Sequence, residues 1–275
     1  MSDVLIGADA LRHWLQGSQA PVVLDCRARL GDPEAGARLW RDGHVPASRH
    51  LDLDRDLASP AGVRGRHPLP EPGAFAATLR RLGVESGRAV VVYDDMGGQL
   101  AAARAWWMLS QWAGHPEVRV LDGGLPAWRE AGGSLVEGEE AGIEPSDWAP
   151  TFDDGAWVEA DEVFSSRAMK LDARSRARFR GESEPVDALA GHIPGARCRP
   201  SADNLDESGR FKSPAALREA LPEASEVISY CGSGVTACHN ILACAVADLP
   251  LPRLYVGSWS EWIRDPARPI ATGDY

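Results

Sequence analysis

The chain has 275 residues, 44% hydrophobic and 25% charged, which is ordinary for a water-soluble protein and long enough for two domains with a core each. Its formal net charge of -11 argues against non-specific binding to nucleic acid or to anionic membranes, although a local arginine cluster can still hold a small anion. No apolar run approaches the roughly 18 residues of a membrane-spanning helix, and the opening MSDVLIGADALRHWL lacks the pattern of a secretory signal.

The first β-branched run, 22–25, reads as a buried strand leading into Asp25, Cys26 and Arg27. GHVPASRHLD (43–52), LDLD (51–54) and RHPLP (66–70) follow, carrying His44, Asp54 and His67. A strand is expected at 89–93, ending in YDDMGGQ, then an Ala-rich helix over 100–112 and a strand at 118–121. Residues 132–152 are rich in Gly, Pro and Glu without periodicity and read as a linker between domains 1–131 and 153–275. Beyond it the order returns. KLDARS (170–175) echoes VVLDCR (22–27), GHIPGARCRP (191–200) echoes GHVPASRHLD, EVISYCG (226–232) echoes AVVVYDD (89–95), and LYVGSWSEW (254–262) echoes VLDGGLPAW (120–128). Strands at 227–230 and 253–256 flank an Ala-rich helix over 235–247. Short buried strands alternating with helices imply an α/β fold, with a mainly parallel sheet flanked by helices in each half.

The chemistry concentrates in CGSGVTA (231–237), between a strand ending at Tyr230 and a helix starting near Val235. Gly232 and Gly234 free the backbone, so the amides of Ser233, Gly234, Val235, Thr236 and Ala237 can point inward at the positive end of a helix. Such a cradle favours a thiolate or persulfide on Cys231, and assigns Gly232, Gly234, Val235 and Thr236 to substrate binding. The matching position in the first half is Asp94, which is no nucleophile and would repel an anion. That half is therefore expected to be catalytically silent and to supply one wall of the site.

These blocks resemble the rhodanese-type sulfurtransferases in their tandem form, with an inactive first and an active second domain. CGSGVTA is similar to the form typical of 3-mercaptopyruvate sulfurtransferases, whereas thiosulfate-specific members carry basic residues where Gly232 and Ser233 stand. The resemblance implies a small anionic sulfur donor, a Cys231 persulfide, no cofactor, and cyanide, small thiols or thioredoxin as acceptor. It implies that Arg178 in ARFRG (177–181) grips the donor's carboxylate, as guanidinium geometry suits. It also implies a catalytic relay of Ser233, His67 and Asp54, the last two reaching across from the first half. One departure stands out. Val186 follows Glu184 and Pro185 where mercaptopyruvate-type members usually have a second arginine, leaving Arg180 or Arg197 to compensate.

Other residues read as structural. His44 and His192, and the pairs Asp25/Arg27 and Asp172/Arg174, recur in both halves and are expected to support the fold. Cys26, Cys198, Cys238 and Cys244 read as packing, which with an odd total of five cysteines suits a reduced, cytoplasmic protein. Trp106, Trp107 and Trp112 read as helix packing. A cysteine phosphatase is disfavoured because Ala237 stands where such loops need a closing arginine, and a dead binding module because Cys231 and its glycines are intact. No zinc spacing or nucleotide-phosphate loop is visible.

Overall fold

A computed structural model describes residues 4–274; Met1–Asp3 and Tyr275, at the ends of the two expected domains, lie outside the described residues. The first half runs β1 (Leu5–Ile6), α1 (Ala8–Trp14), β2 (Val22–Asp25), α2 (Ala35–Asp42), β3 (Ser48–His50), α3 (Pro72–Arg81), β4 (Val90–Tyr93), α4 (Ala101–Trp107), β5 (Val118–Leu121) and α5 (Gly124–Glu130). The second repeats it as β6 (Trp157–Val158), α6 (Ala160–Ser165), β7 (Met169–Asp172), α7 (Arg176–Arg180), β8 (Ala196–Cys198), α8 (Pro214–Ala220), β9 (Val227–Tyr230), α9 (Ala237–Val246), β10 (Arg253–Tyr255) and α10 (Ser258–Trp262). Each half folds into one five-stranded parallel sheet. The orders, β1-β5-β4-β2-β3 and β6-β10-β9-β7-β8, are the same order twice.

The register repeats as well: Asp25 pairs with Tyr93 as Asp172 pairs with Tyr230. Central strands such as Val90–Tyr93 are buried on both faces, as a parallel sheet covered by helices requires. The edge strands β1, β3, β6 and β8 escaped the sequence reading, because two or three residues are too few to show a period, and Ser48, Arg49 and His50 are polar as well. Two element ends also differ from expectation. The helix read over 100–112 is α-helical only to Trp107 and continues as a π-turn, Met108–Trp112. The helix after the cysteine loop starts at Ala237, two residues later than expected.

Both repeated ion pairs form. Arg27 Nη2 lies 2.6 Å from Asp25 and donates to the Gly43 carbonyl, and Arg174 Nη2 lies 2.7 Å from Asp172 and donates to the Gly191 carbonyl. His44 and His192 are fully buried, bond the carbonyls of Trp40 and Phe179, and stack on those rings. Residues 132–152 hold no helix or strand, yet they lie against the first half through a His44–Val136 bridge and an Arg41–Glu139 pair.

The halves meet through α4 and α9, which pack directly on each other and share one hydrophobic cluster. Every residue of α4 is buried, as are Ala237–Ala245 of α9. Small alanine side chains let the two axes approach closely, which explains why both helices are so Ala-rich.

Candidate active site

β9 delivers Cys231 to a loop that the rest of the second half holds in shape. Ser258 Oγ accepts from the Cys231 amide at 3.1 Å, while the amides of Trp259 and Ser260 donate to the carbonyls of Cys231 and Gly232. Gly234 has φ +76°, and a Cβ there would stand 2.3 Å from the Val256 carbonyl oxygen, so both conformation and space demand glycine. With those carbonyls anchored, the amides of Ser233, Gly234, Val235 and Thr236 donate to no acceptor among the described residues. Buried unpaired N–H groups favour an anion in front of them. The Val235 side chain is itself packed in the core, so its contribution is its backbone amide.

The equivalent loop of the first half is filled from within. The Asp94 carboxylate accepts from the amides of Met96 (2.9 Å), Gly98 (2.8 Å), Leu100 and Ala102 (both 3.3 Å). Asp94 thus does more than repel an anion: it takes the amide bonds such an anion would use.

From the first half His67 reaches the cysteine loop, with Asp54 behind it. His67 Nδ1 lies 2.7 Å from Ser233 Oγ, and its Nε2 lies 3.3 Å from Asp54 Oδ1. Burial, with the Arg104 and Arg66 guanidiniums nearby, pushes the His67 pKa down to about 4. The ring is therefore neutral at neutral pH: Nε2–H donates to Asp54, and Nδ1 accepts the Ser233 hydroxyl proton. Burial and the neighbouring Asp52 push the half-exposed Asp54 carboxyl up.

Arg178 stands at the mouth, where its guanidinium pairs with Glu184 (2.7 Å) and Asp187 (3.1 Å). Beside it is Arg66, which the sequence reading missed; its Nη1 pairs with the same Asp187 carboxylate. A Cβ on Gly232 would lie 2.8 Å from Arg66 Nη2 and 3.4 Å from Arg178 Nη2, so both guanidiniums stand over the loop. Arg180 and Arg197 do not compensate for Val186. Arg180 pairs outward with Asp274, and Arg197 lies on a separate surface with Arg167 and Lys170. Val186 is exposed at the rim. The clue to Arg66 was its place beside His67, but only the docking of the halves brings it over the second half's loop.

Arg104 of α4 also went unread. It is fully buried and donates to the carbonyls of Leu57, His67 and Gly234, tying the relay histidine to the cysteine loop across the interface. Burial lowers its pKa, partly offset by Cys238 and Cys231.

Cys231, Ser233, Thr236, Arg66 and Arg178 line one cleft of about 330 Å³. Another cleft of about 420 Å³ between the halves, lined by Trp112, Trp157 and Glu261 among others, has no cysteine in its lining. Cys238 and Cys244 are buried with pKa pushed up to about 12, and Cys198 to about 11, all mainly by burial; none is poised as a thiolate. Among the described residues no group of His, Cys, Asp and Glu could hold a metal ion, and no helix is long and apolar enough to cross a membrane.

A family model described as "Rhodanese-like domain" matches residues 8–131 and again 159–265. The chain is 48% identical over 267 residues to a Pseudomonas aeruginosa protein named "Probable 3-mercaptopyruvate sulfurtransferase", covering 92% of this chain and 93% of that one. It is 41% identical over 283 residues to a Mycobacterium tuberculosis protein named as a candidate thiosulfate sulfurtransferase, covering 98% and 97%. Among solved structures, a 3-mercaptopyruvate sulfurtransferase from Leishmania major superposes with a TM-score of 0.84 at 30% identity, over 95% of this chain and 74% of that one.

Proposed function

Because the chain belongs to the rhodanese-like family, as a tandem pair, we propose that it moves sulfur from 3-mercaptopyruvate to a thiophilic acceptor through a persulfide on Cys231. In this reading residues 153–275 carry the catalytic domain and residues 1–131 a silent one, joined by 132–152. The Cys231 thiolate attacks the donor's sulfur, and the carbon–sulfur bond breaks with its electron pair leaving as pyruvate enolate. The donor's own thiol proton ends on the enolate carbon, which leaves the outer sulfur of the persulfide anionic against the amides of Ser233–Thr236.

The relay supports this proton path. A neutral His67 holds no spare proton, so it does not act as a resting acid. Its Nδ1 takes the Ser233 proton as Ser233 receives the donor's, and the proton returns to the enolate through the Ser233 hydroxyl, which lines the cleft, while Asp54 fixes the ring. Arg178 holds the donor's carboxylate. Cyanide, a small thiol or reduced thioredoxin then removes the outer sulfur, chemistry that suits a reduced compartment such as the cytoplasm.

The observation that carries the reading is a cleft that holds Cys231, its unpaired loop amides and Ser233, with His67 and Asp54 hydrogen-bonded in series behind Ser233. Protein treated with mercaptopyruvate should gain one sulfur atom on Cys231 by mass spectrometry, and Cys231→Ser should gain none and lose turnover. Sulfur transfer by Cys231→Ser at the wild-type rate would refute the mechanism. A second reading, thiosulfate as donor, is favoured by the mycobacterial relative and by two guanidiniums suited to a dianion. A higher kcat/KM for thiosulfate than for mercaptopyruvate would select it.

A further inference from the structure

We propose that Arg104, carried by the silent half, is a positioning residue for sulfur transfer: from behind the cysteine loop it aims the Val235 amide at the sulfur on Cys231 and is the buried counter-charge of the thiolate and persulfide. The inference rests on the reading of Cys231 as sulfur carrier, not on which donor loads it.

One peptide unit, between Gly234 and Val235, carries the geometry. Arg104 Nη1 donates to the Gly234 carbonyl at 3.0 Å, while the Val235 N–H of the same unit has no acceptor among the described residues. In a trans peptide the C=O and N–H point in opposite directions, so gripping the carbonyl on the interface side turns the N–H toward the interior of the loop. Gly234, at φ +76°, has no Cβ to stiffen the unit, so the grip must come from elsewhere. A charged donor on the carbonyl also polarises the peptide and strengthens its N–H as a donor.

The charge of Arg104 is unmatched. The side chain is fully buried, its Nη2 meets only the carbonyls of Leu57 and His67, and its Nε has no partner. The groups whose negative charge would act on it are the thiolates of Cys238 and Cys231, and burial keeps Cys238 neutral with its pKa pushed up to about 12. Cys231 is the counter-ion that remains. The other cations around the loop are already matched, Arg66 and Arg178 by Asp187 and Glu184, and Arg174 by Asp172 and Glu184. His67 is neutral, and the Glu261 carboxyl, over Gly257, is pushed up by burial. A buried guanidinium that faces only carbonyls is costly until an anion arrives.

The silent half supplies the contrast. Gly97, at φ +65°, stands three residues after Asp94 as Gly234 stands three after Cys231. Its carbonyl is propped across the same interface, but by His239 Nε2 at 3.2 Å, while Asn204 donates to Nδ1. Burial holds the pKa of that histidine near 4, so the prop is neutral. The loop with a built-in carboxylate is backed by a neutral donor, and the loop that receives an anion is backed by a permanent cation.

The rate of Cys231 alkylation by iodoacetamide, followed against pH on the full donor-free chain with the site resolved by mass spectrometry, tests this. Arg104→Gln keeps amide donors without the charge, and should move the midpoint of the profile up by about one pH unit or more. Arg104→Lys, which keeps the cation, should recover most of that shift, and His239→Asn, at the silent loop, should leave the midpoint in place. A midpoint in Arg104→Gln within about 0.3 unit of the wild type, or an equal rise in Arg104→Lys, would overturn the proposal. Should the variants not fold, the wild type decides. In NMR spectra of protein with isotope-labelled arginine, the Arg104 guanidinium signals should shift when Cys231 gains a sulfur atom, and those of Arg27, buried against Asp25, should not. Unmoved Arg104 signals would overturn the counter-charge. No sulfur gained on Cys231 from mercaptopyruvate or thiosulfate, with the alkylation shift present, would overturn the persulfide reading and leave the pairing of Arg104 with the thiolate.

Discussion

A histidine with its pKa pushed down to about 4 is neutral at neutral pH, which suits the proposed relay to passing a proton on rather than donating one of its own. In the proposed mechanism Ser233 and His67 hand the donor's thiol proton to the enolate, so they matter only where the leaving group needs a proton. Sulfite leaving from thiosulfate needs none. Ser233→Ala and His67→Ala should therefore cut kcat with mercaptopyruvate about a hundredfold, within the usual range for a lost proton-transfer group, and thiosulfate turnover much less. Parallel assays of both donors on each variant check this, and equal losses would show that the relay residues merely shape the loop. At this scale the sequence was legible where a residue acts beside its neighbours, as Cys231 and Ser233 do. It was silent on Arg66 and Arg104, each of which reaches a partner in the second half more than a hundred positions away, Asp187 and Gly234.

The strand–loop–helix element appears twice with opposite contents. After β9 the loop presents unpaired amides; after β4 the same kind of loop is closed on the Asp94 carboxylate. The sequence showed that Asp94 could not be a nucleophile, but not that it had become the loop's internal anchor, because that depends on where four amides point. Asp94→Ala leaves those amides buried without partners and should cost about 2–3 kcal/mol of unfolding free energy. Urea unfolding measures it; a loss below about 0.5 kcal/mol would mean the loop holds its shape without the carboxylate. Edge strands such as β3 and β8 stayed hidden for a different reason. They are too short and too polar to carry a hydrophobic pattern, and they exist because a longer strand beside them offers backbone partners.

Across the whole molecule, two neutral histidines sit where the halves meet. His67 touches the cysteine loop, and His239 on α9 bonds the Gly97 carbonyl of the first half; burial holds both pKa values near 4. In the unfolded chain each takes up a proton near pH 6.5. Below that pH the unfolded state binds more protons than the folded one, so stability falls as pH drops from about 6.5 and the loss is complete below about 4. Each histidine contributes roughly 3 kcal/mol to this loss at most. His239→Asn, which keeps a donor but cannot titrate, should flatten the acid limb of urea-unfolding free energy against pH. A limb as steep as the wild type's would remove His239 as its source.

The sequence by itself determined the duplication and the parallel α/β halves, and it singled out the cysteine loop and Asp94 at the matching place in its twin. Each of these is written in local pattern: β-branched runs, glycines at fixed spacing, and blocks that return in order. It also named the relay, but only through resemblance to a family, since nothing local links Asp54 and His67 to Ser233. Tertiary structure alone decided that α4 and α9 form the interface, that Arg104 ties the relay histidine to the cysteine loop, and that Arg66 stands over Gly232. The physical reason is that these contacts come from docking two separate cores. Burial of small alanine faces sets that geometry, and the residues it brings together leave no periodic trace in the chain.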